Sequence, residues 1–259
     1  GGAAPMKRGR GRRWTGRAAA ALLGAFLPLL LAGPASAHPL GNFTVNRYAG
    51  LVLSPGEVRD RYVGDMAEIP TFQELPRIDR DGDGQAEEAE LDRWARAEAA
   101  AIGRGLVLEV DGGRVPLSVG EAWASLRPGQ GGLSILRLEA SYAGPLPRAG
   151  RATFEDRNAP DRIGWREVTV AATAGVGVRG SSVPSRSVSD ELRSYPQDLL
   201  SSPPRVTRAT FSFGPGPGTG PAPAEGPRPP GGRGRPGGGG GAPPPRTRRG
   251  GGGGGGGGG

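Results

Sequence analysis

The sequence contains no cysteine. That removes disulfide frameworks, zinc fingers and thiol catalysis together. It contains one histidine, His38, in 259 residues, which excludes multi-histidine metal sites and the usual serine or cysteine triads. From Gly214 to Gly259 there is no Leu, Ile, Val, Met or aromatic residue, so that stretch cannot bury a core. Long apolar runs are also scarce. The one that exists, Ala18–Gly33, spans 16 residues and is interrupted by Pro28, short of the roughly 20 residues a spanning helix needs.

What is present is unevenly spread. The net charge is +8, but six basic groups and no acid fall in residues 1–37, and six Arg and one Glu fall in 213–259. Residues 38–212 carry 21 basic and 24 acidic groups, a net of about −3. The foldable part is thus mildly acidic, and the basic isoelectric point is no argument for nucleic acid. The basic run Lys7–Arg13, the apolar run and the small residues Ala35-Ser36-Ala37 read together as a secretory signal peptide with a short leader before Met6. Cleavage after Ala37 makes His38 the mature N-terminus. Its α-amine and imidazole are a candidate second metal site for an ion of the nickel or copper type; a frayed terminus is the plainer alternative. The tail, 213–259, reads as a disordered Gly/Pro-rich linker or an out-of-frame stretch of GC-rich DNA. Its Arg-Gly segments look like RNA-binding tails, but an exported chain does not meet RNA.

The densest chemistry is Asp79-Arg80-Asp81-Gly82-Asp83-Gly84-Gln85-Ala86-Glu87-Glu88-Ala89-Glu90. It matches the twelve-residue calcium loop of an EF-hand. Asp79, Asp81 and Asp83 hold positions 1, 3 and 5, and Gly84 holds position 6, where the backbone turns sharply. Gln85 offers its main-chain carbonyl at 7, Glu87 acts through water at 9, and Glu90 binds with both oxygens at 12. Calcium takes six to eight oxygens, which suits such a loop. Ala86 stands at position 8, usually β-branched. No second loop pairs with this one, and Pro76 is expected to break any helix leading in. The pattern predicts a solitary structural site.

Around the loop the periodicity is mostly two. Phe43, Val45, Leu51 and Leu53 share a parity, with a bulge expected at Gly50. Val58–Ala67 returns after the turn Ser54-Pro55-Gly56-Glu57. Glu87–Ile102 is the one clear helix, with Leu91, Trp94, Ala95 and Ile102 as its apolar stripe and Gly103 and Gly105 as its end. Short alternating segments follow at Leu106–Val110, Val115–Val119, Ala122–Leu126, Ser134–Tyr142, Arg151–Glu155 and Trp165–Ala172. Ser189–Pro196 reads as a turn, and order is expected to fade beyond Pro203-Pro204. The expected fold is mainly β: an antiparallel β-sandwich over 38–212, with the calcium loop and one helix inserted.

Four phrases carry a resemblance. They are His38–Asn46, Asp65–Thr71, Asp161–Glu167 and Leu192–Leu200. Together they resemble the N-terminal extracytoplasmic region of actinobacterial membrane proteins described as nickel/cobalt transporters. The resemblance covers about 38–208. It implies a soluble domain on the outer face of the membrane, a Pro/Gly/Ser-rich linker and a polytopic permease, with nickel or cobalt as the transported ion. No spanning run follows Phe213 and the permease's histidine-containing helix motif is missing, so transport rests on the resemblance alone.

The expected function is therefore an extracytoplasmic calcium-binding accessory domain of such a transporter. The alternative is a free-standing secreted calcium-stabilised module that binds a protein or the cell surface. Expected partners are a permease or a cell-surface component, with no nucleic acid and no small organic cofactor. Catalysis is not expected: the one carboxylate pair considered, Glu155 with Glu167 for glycoside hydrolysis, has no local pattern behind it.

Overall fold

The computed structural model describes Gly1, Gly2 and residues 39–219. The rest of the leader, His38 and the chain from Gly220 onward lie outside the described residues. Contacts divide the chain after Pro227, and every described residue belongs to the first unit.

The protein is mainly β, with ten strands in two five-stranded sheets and two helices among the described residues. The elements are β1 (Val45–Ser54), β2 (Glu57–Met66), α1 (Glu68–Ile78), α2 (Glu88–Gly105), β3 (Leu106–Val110), β4 (Gly113–Val115), β5 (Ser118–Pro128), β6 (Ser134–Pro145), β7 (Gly150–Asp156), β8 (Arg166–Ala172), β9 (Gly177–Arg179) and β10 (Arg208–Gly214). The first sheet runs β5-β6-β2-β1-β8 and the second β4-β3-β7-β10-β9.

The β1–β2 hairpin forms where period two predicts it. Its register is unbroken from Ser54↔Glu57 to Val45↔Met66, so Gly50 is not a bulge. A Cβ there would lie 2.3 Å from the Tyr48 hydroxyl, so the glycine leaves space for that ring. The irregularity falls in β5 instead, between Val119 and Ala122.

One pair departs from the antiparallel expectation. β1 and β8 run parallel, from Arg47↔Arg166 to Leu53↔Ala172. Parallel neighbours need a long connection, and here everything from β2 to β7 supplies it. Local alternation carries no record of such a distant pairing.

The inner faces of the two sheets share one hydrophobic cluster. Leu51, Leu53, Tyr62, Leu138, Tyr142 and Val170 come from the first sheet, and Leu108, Phe154, Phe211 and Phe213 from the second. Helix α2 adds Leu91, Trp94, Ala95, Ala99 and Ile102, the stripe expected at helical spacing. A smaller cluster of Tyr48, Val63, Trp165 and Leu192 covers the outer face of the first sheet. β1 is therefore buried on both faces.

Two helices replace the expected one. α1 contains both Pro70 and Pro76. Pro70 is the third residue, where an amide has no intrahelical partner. Pro76 removes a single bond in the last turn, and Asp79 N–H still donates to Leu75 O at 2.9 Å. α2 likewise runs through Gly103 to Gly105. The acidic loop thus has a helix on each side.

The end of the fold also moves. The expected boundary at 212 and the loss of order after Pro204 are both corrected by β10, which lies between β7 and β9. Thr219 N–H donates to Ala172 O at 3.0 Å, so the folded chain continues past Gly214. Ala209, Phe211 and Phe213 alternate as a strand should, but they are flanked by low-complexity sequence that hides them.

Gly164 holds β1 to the segment before β8. Its φ is 143°, and a Cβ would meet Val45 O at 2.4 Å. Gly164→Ala is expected to cost about 2–3 kcal/mol and to lower Tm by about 5–10 °C. An unchanged melting curve would show that the two segments are not packed this closely.

Candidate metal centre

The loop between α1 and α2 is built by its own carboxylates. Asp79 Oδ1 accepts from Gly82 N–H at 2.7 Å and Oδ2 from Gly84 N–H at 2.9 Å. Asp81 accepts from Asp83 N–H at 3.2 Å, and Asp83 from Gln85 N–H at 2.8 Å. These turns fold the backbone around the first aspartate. They require Gly82 and Gly84 at φ 78° and 85°, a region that other residues enter at a cost.

The carboxylates converge in two overlapping groups. Ligand atoms of Asp79, Asp81 and Asp83 lie within 4.8 Å of one another, as do those of Asp81, Glu87 and Glu90. Asp81 belongs to both. Gln85 is exposed in the loop, its amide bonded to Asp83.

Glu90 differs from the others. It lies in the first turn of α2 and is only 6% exposed. Oε1 accepts from Arg80 N–H at 2.8 Å. Oε2 is buried and has no hydrogen-bond partner. An orphaned anionic oxygen is costly unless something cationic or donating meets it. Its neighbour Glu87 is held above the usual carboxylate range, first by the Glu90 side chain beside it. Glu90 is held below that range, first by the Arg80 amide. Two carboxylates this close need a proton or a cation between them. The donor set is all oxygen, which suits a hard divalent ion.

Behind the loop, Trp94 Nε1–H donates to Glu74 Oε1 at 2.8 Å. Glu74 also pairs with Arg77. This ties α2 to the end of α1.

The other sequence candidates do not assemble. Glu155 lies on β7 and pairs with Arg157 at 2.7 Å. Glu167 lies on the outer face of the first sheet, where it accepts from Trp165 Nε1–H at 2.8 Å and Ser189 Oγ–H at 2.5 Å. The two point away from the shared core on different sheets and form no pair. His38 lies outside the described residues.

Sequence reasoning missed a set of interior charges. Asp60 is 1% exposed and neither of its oxygens accepts a well-formed hydrogen bond. Burial pushes its carboxyl up to about 8, with Asp156 adding to the rise and a Gly50 amide opposing it. Arg47 reaches toward the same place, 3.7 Å from Asp156. On the opposite face, Arg61 and Arg137 bracket Glu139 at 2.5 and 2.8 Å, and Arg61 also meets Glu191 at 2.8 Å. Parity with Val58 and Tyr62 was the signal that placed Asp60 inside.

Among the described residues, no helix is long and apolar enough to cross a membrane. No protein-family model, curated protein or solved structure matches the chain.

Proposed function

We propose that this chain is an extracytoplasmic, calcium-binding accessory domain of the kind that accompanies a nickel/cobalt-type metal-ion transporter, its two sheets stacked as a β-sandwich. Calcium binds in the 79–90 loop as an EF-hand-like site, held by Asp79, Asp81, Asp83, the Gln85 carbonyl, Glu87 and Glu90. Its role is structural: it clamps the end of α1 to the start of α2. The observation that carries this is the buried, partnerless Oε2 of Glu90 beside four further carboxylates. The transporter half rests on the four phrases of the resemblance. These are far apart in sequence but meet at one end of the first sheet. Val45 bonds to Ile163, Ala67 to Thr44 and Ile69 to Asn42, each at 2.9 Å. Trp165 stacks edge-on against Tyr195, with centroids 5.5 Å apart.

The calcium half is tested by melting the full chain with calcium and with chelator. A ligand at a hundredfold excess over Kd contributes about 2.7 kcal/mol, so Tm should rise by roughly 5–10 °C. Asp79→Ala or Glu90→Ala should abolish the rise. Equal melting points for the native chain in calcium and chelator would defeat the structural-site reading. The transporter half is tested by isolating the native chain from membranes and identifying what stays bound. A polytopic metal permease supports it. Recovery of the domain alone favours the free-standing secreted module.

A further inference from the structure

The end of the first sheet where β1 and β8 begin is unusual in its surface. Phe43 is 64% exposed, Ile163 59% and Phe72 59%. Few large apolar side chains elsewhere among the described residues are this open. The backbone gathers these three. Residues 42–44 lie between two partners: Val45 N–H donates to Ile163 O on one side, and on the other Ile69 N–H donates to Asn42 O. Phe72 is one helical turn beyond Ile69 and shares its side of α1. Clustered exposed apolar groups of this size mark an interaction surface.

The same end is basic. A concave pocket there is lined by Arg162, Arg166 and Arg205 together with Ile163, with Asp161 as its one acid. Arg162 and Arg205 are exposed. Arg166 donates to the carbonyls of Pro160 and Arg162 at 2.6 Å, and its guanidinium is disfavoured by burial and by Arg47 and Arg205 beside it. Such a pocket sets three arginines against one acid.

The described chain enters at this end, at Pro39. The apolar run Ala18–Gly33 ends six residues before it, with the basic run Lys7–Arg13 further upstream. While the leader is still attached, six residues span at most about 20 Å, so a bilayer that holds the signal segment lies within reach of this surface.

We infer that this end of the domain docks on an anionic phospholipid surface. Phe43, Phe72 and Ile163 enter the interface, and Arg162 and Arg205 meet lipid phosphates. Apolar insertion and cationic attraction are the two components of peripheral membrane binding. The docking uses side chains of the folded domain and so survives removal of the leader. It does not depend on the acidic loop, which lies at the far end of α1.

The absence of cysteine makes the test clean. Phe43→Cys, Ile163→Cys and, at the opposite end of the first sheet, Arg148→Cys are made in the full chain, and each carries one environment-sensitive fluorophore. Circular dichroism checks that each variant is folded. The chains are bound to phosphatidylglycerol-containing vesicles with nitroxide-labelled lipid, in calcium and in chelator. Labels at 43 and 163 are expected to shift to the blue and to be quenched at least twofold, while the label at 148 stays in water. Reversing Arg162 and Arg205 to Glu should lose the shift at 43. Labels at 43 and 163 that remain aqueous on vesicle-bound protein overturn the inference and leave the patch to a protein partner. Since the readout is taken with and without calcium, it fails or succeeds independently of the loop.

Discussion

A chain that stops at Pro204 is expected not to fold. It keeps nine of the ten strands and all of the acidic loop, but it loses β10 from between β7 and β9. Ala209, Phe211 and Phe213 are 0, 2 and 3% exposed and sit in the shared core. Losing each buried Phe costs about 3–5 kcal/mol. The gap also strands the edge of β7, which pairs with β10 over Arg208–Phe213, and frees Ser182, whose N–H donates to Thr210 O at 2.9 Å. The total is comparable with the whole stability of a domain, about 5–15 kcal/mol. Circular dichroism and urea titration of chains ending at Pro204 and at Thr219 make the comparison. The longer one should unfold cooperatively and the shorter one should show no transition. A cooperative transition in the shorter chain would mean that 205–219 decorates the fold and does not complete it.

Asp60→Asn should gain stability relative to the native chain as pH rises, and exceed it toward pH 8. Asp60 sits between Leu51 and Tyr142 across the first sheet, facing Asp156 and Arg47 from within the core. Its carboxyl titrates near 8 in the folded state, first because burial disfavours the charge. In the unfolded chain it titrates near 3.9. The folded state therefore holds a proton that the unfolded state releases. Stability from this group is full below about pH 4 and is lost as pH rises toward 8. Each pH unit in that window is worth about 1.4 kcal/mol, so the native chain loses about 1–2 kcal/mol near pH 5 and about 5 kcal/mol near pH 8. Asparagine does not titrate and escapes this loss. It leaves a buried amide that is itself poorly satisfied, a penalty of about 1–3 kcal/mol that does not vary with pH. The slope is therefore the test, not the offset. Denaturant unfolding of both proteins across that range should give curves that diverge with pH. Parallel curves would show that Asp60 is solvated or paired in the folded state.

The acidic loop was legible because its chemistry is local. Each carboxylate, each glycine and the spacing between them lie within twelve residues, and the structure brings the carboxylates of Asp79, Asp81, Asp83, Glu87 and Glu90 into two overlapping groups. The hairpin around Ser54–Glu57 and the apolar stripe of α2 were legible for the same reason: turn residues and periodicity act over a few positions. Pro76 misled, because a proline in a last turn removes one hydrogen bond and does not stop a helix.

Long-range order left no such trace. The parallel β1–β8 pair joins residues about 120 apart, and no pattern in either strand names its partner. β10 alternates correctly but stands among Pro and Gly, and its worth comes from the two neighbours that close over it. Asp60 looks like any charged strand residue until a second sheet covers it and removes its water. The same holds for Glu90, whose place in the loop follows from the motif, while the burial that orphans Oε2 follows from the packing of α2. The composition and the short motifs bound which chemistry this chain can carry. Which of those groups are desolvated, and so become costly or reactive, depends on contacts between distant segments, because dielectric environment belongs to the folded volume and not to the order of residues.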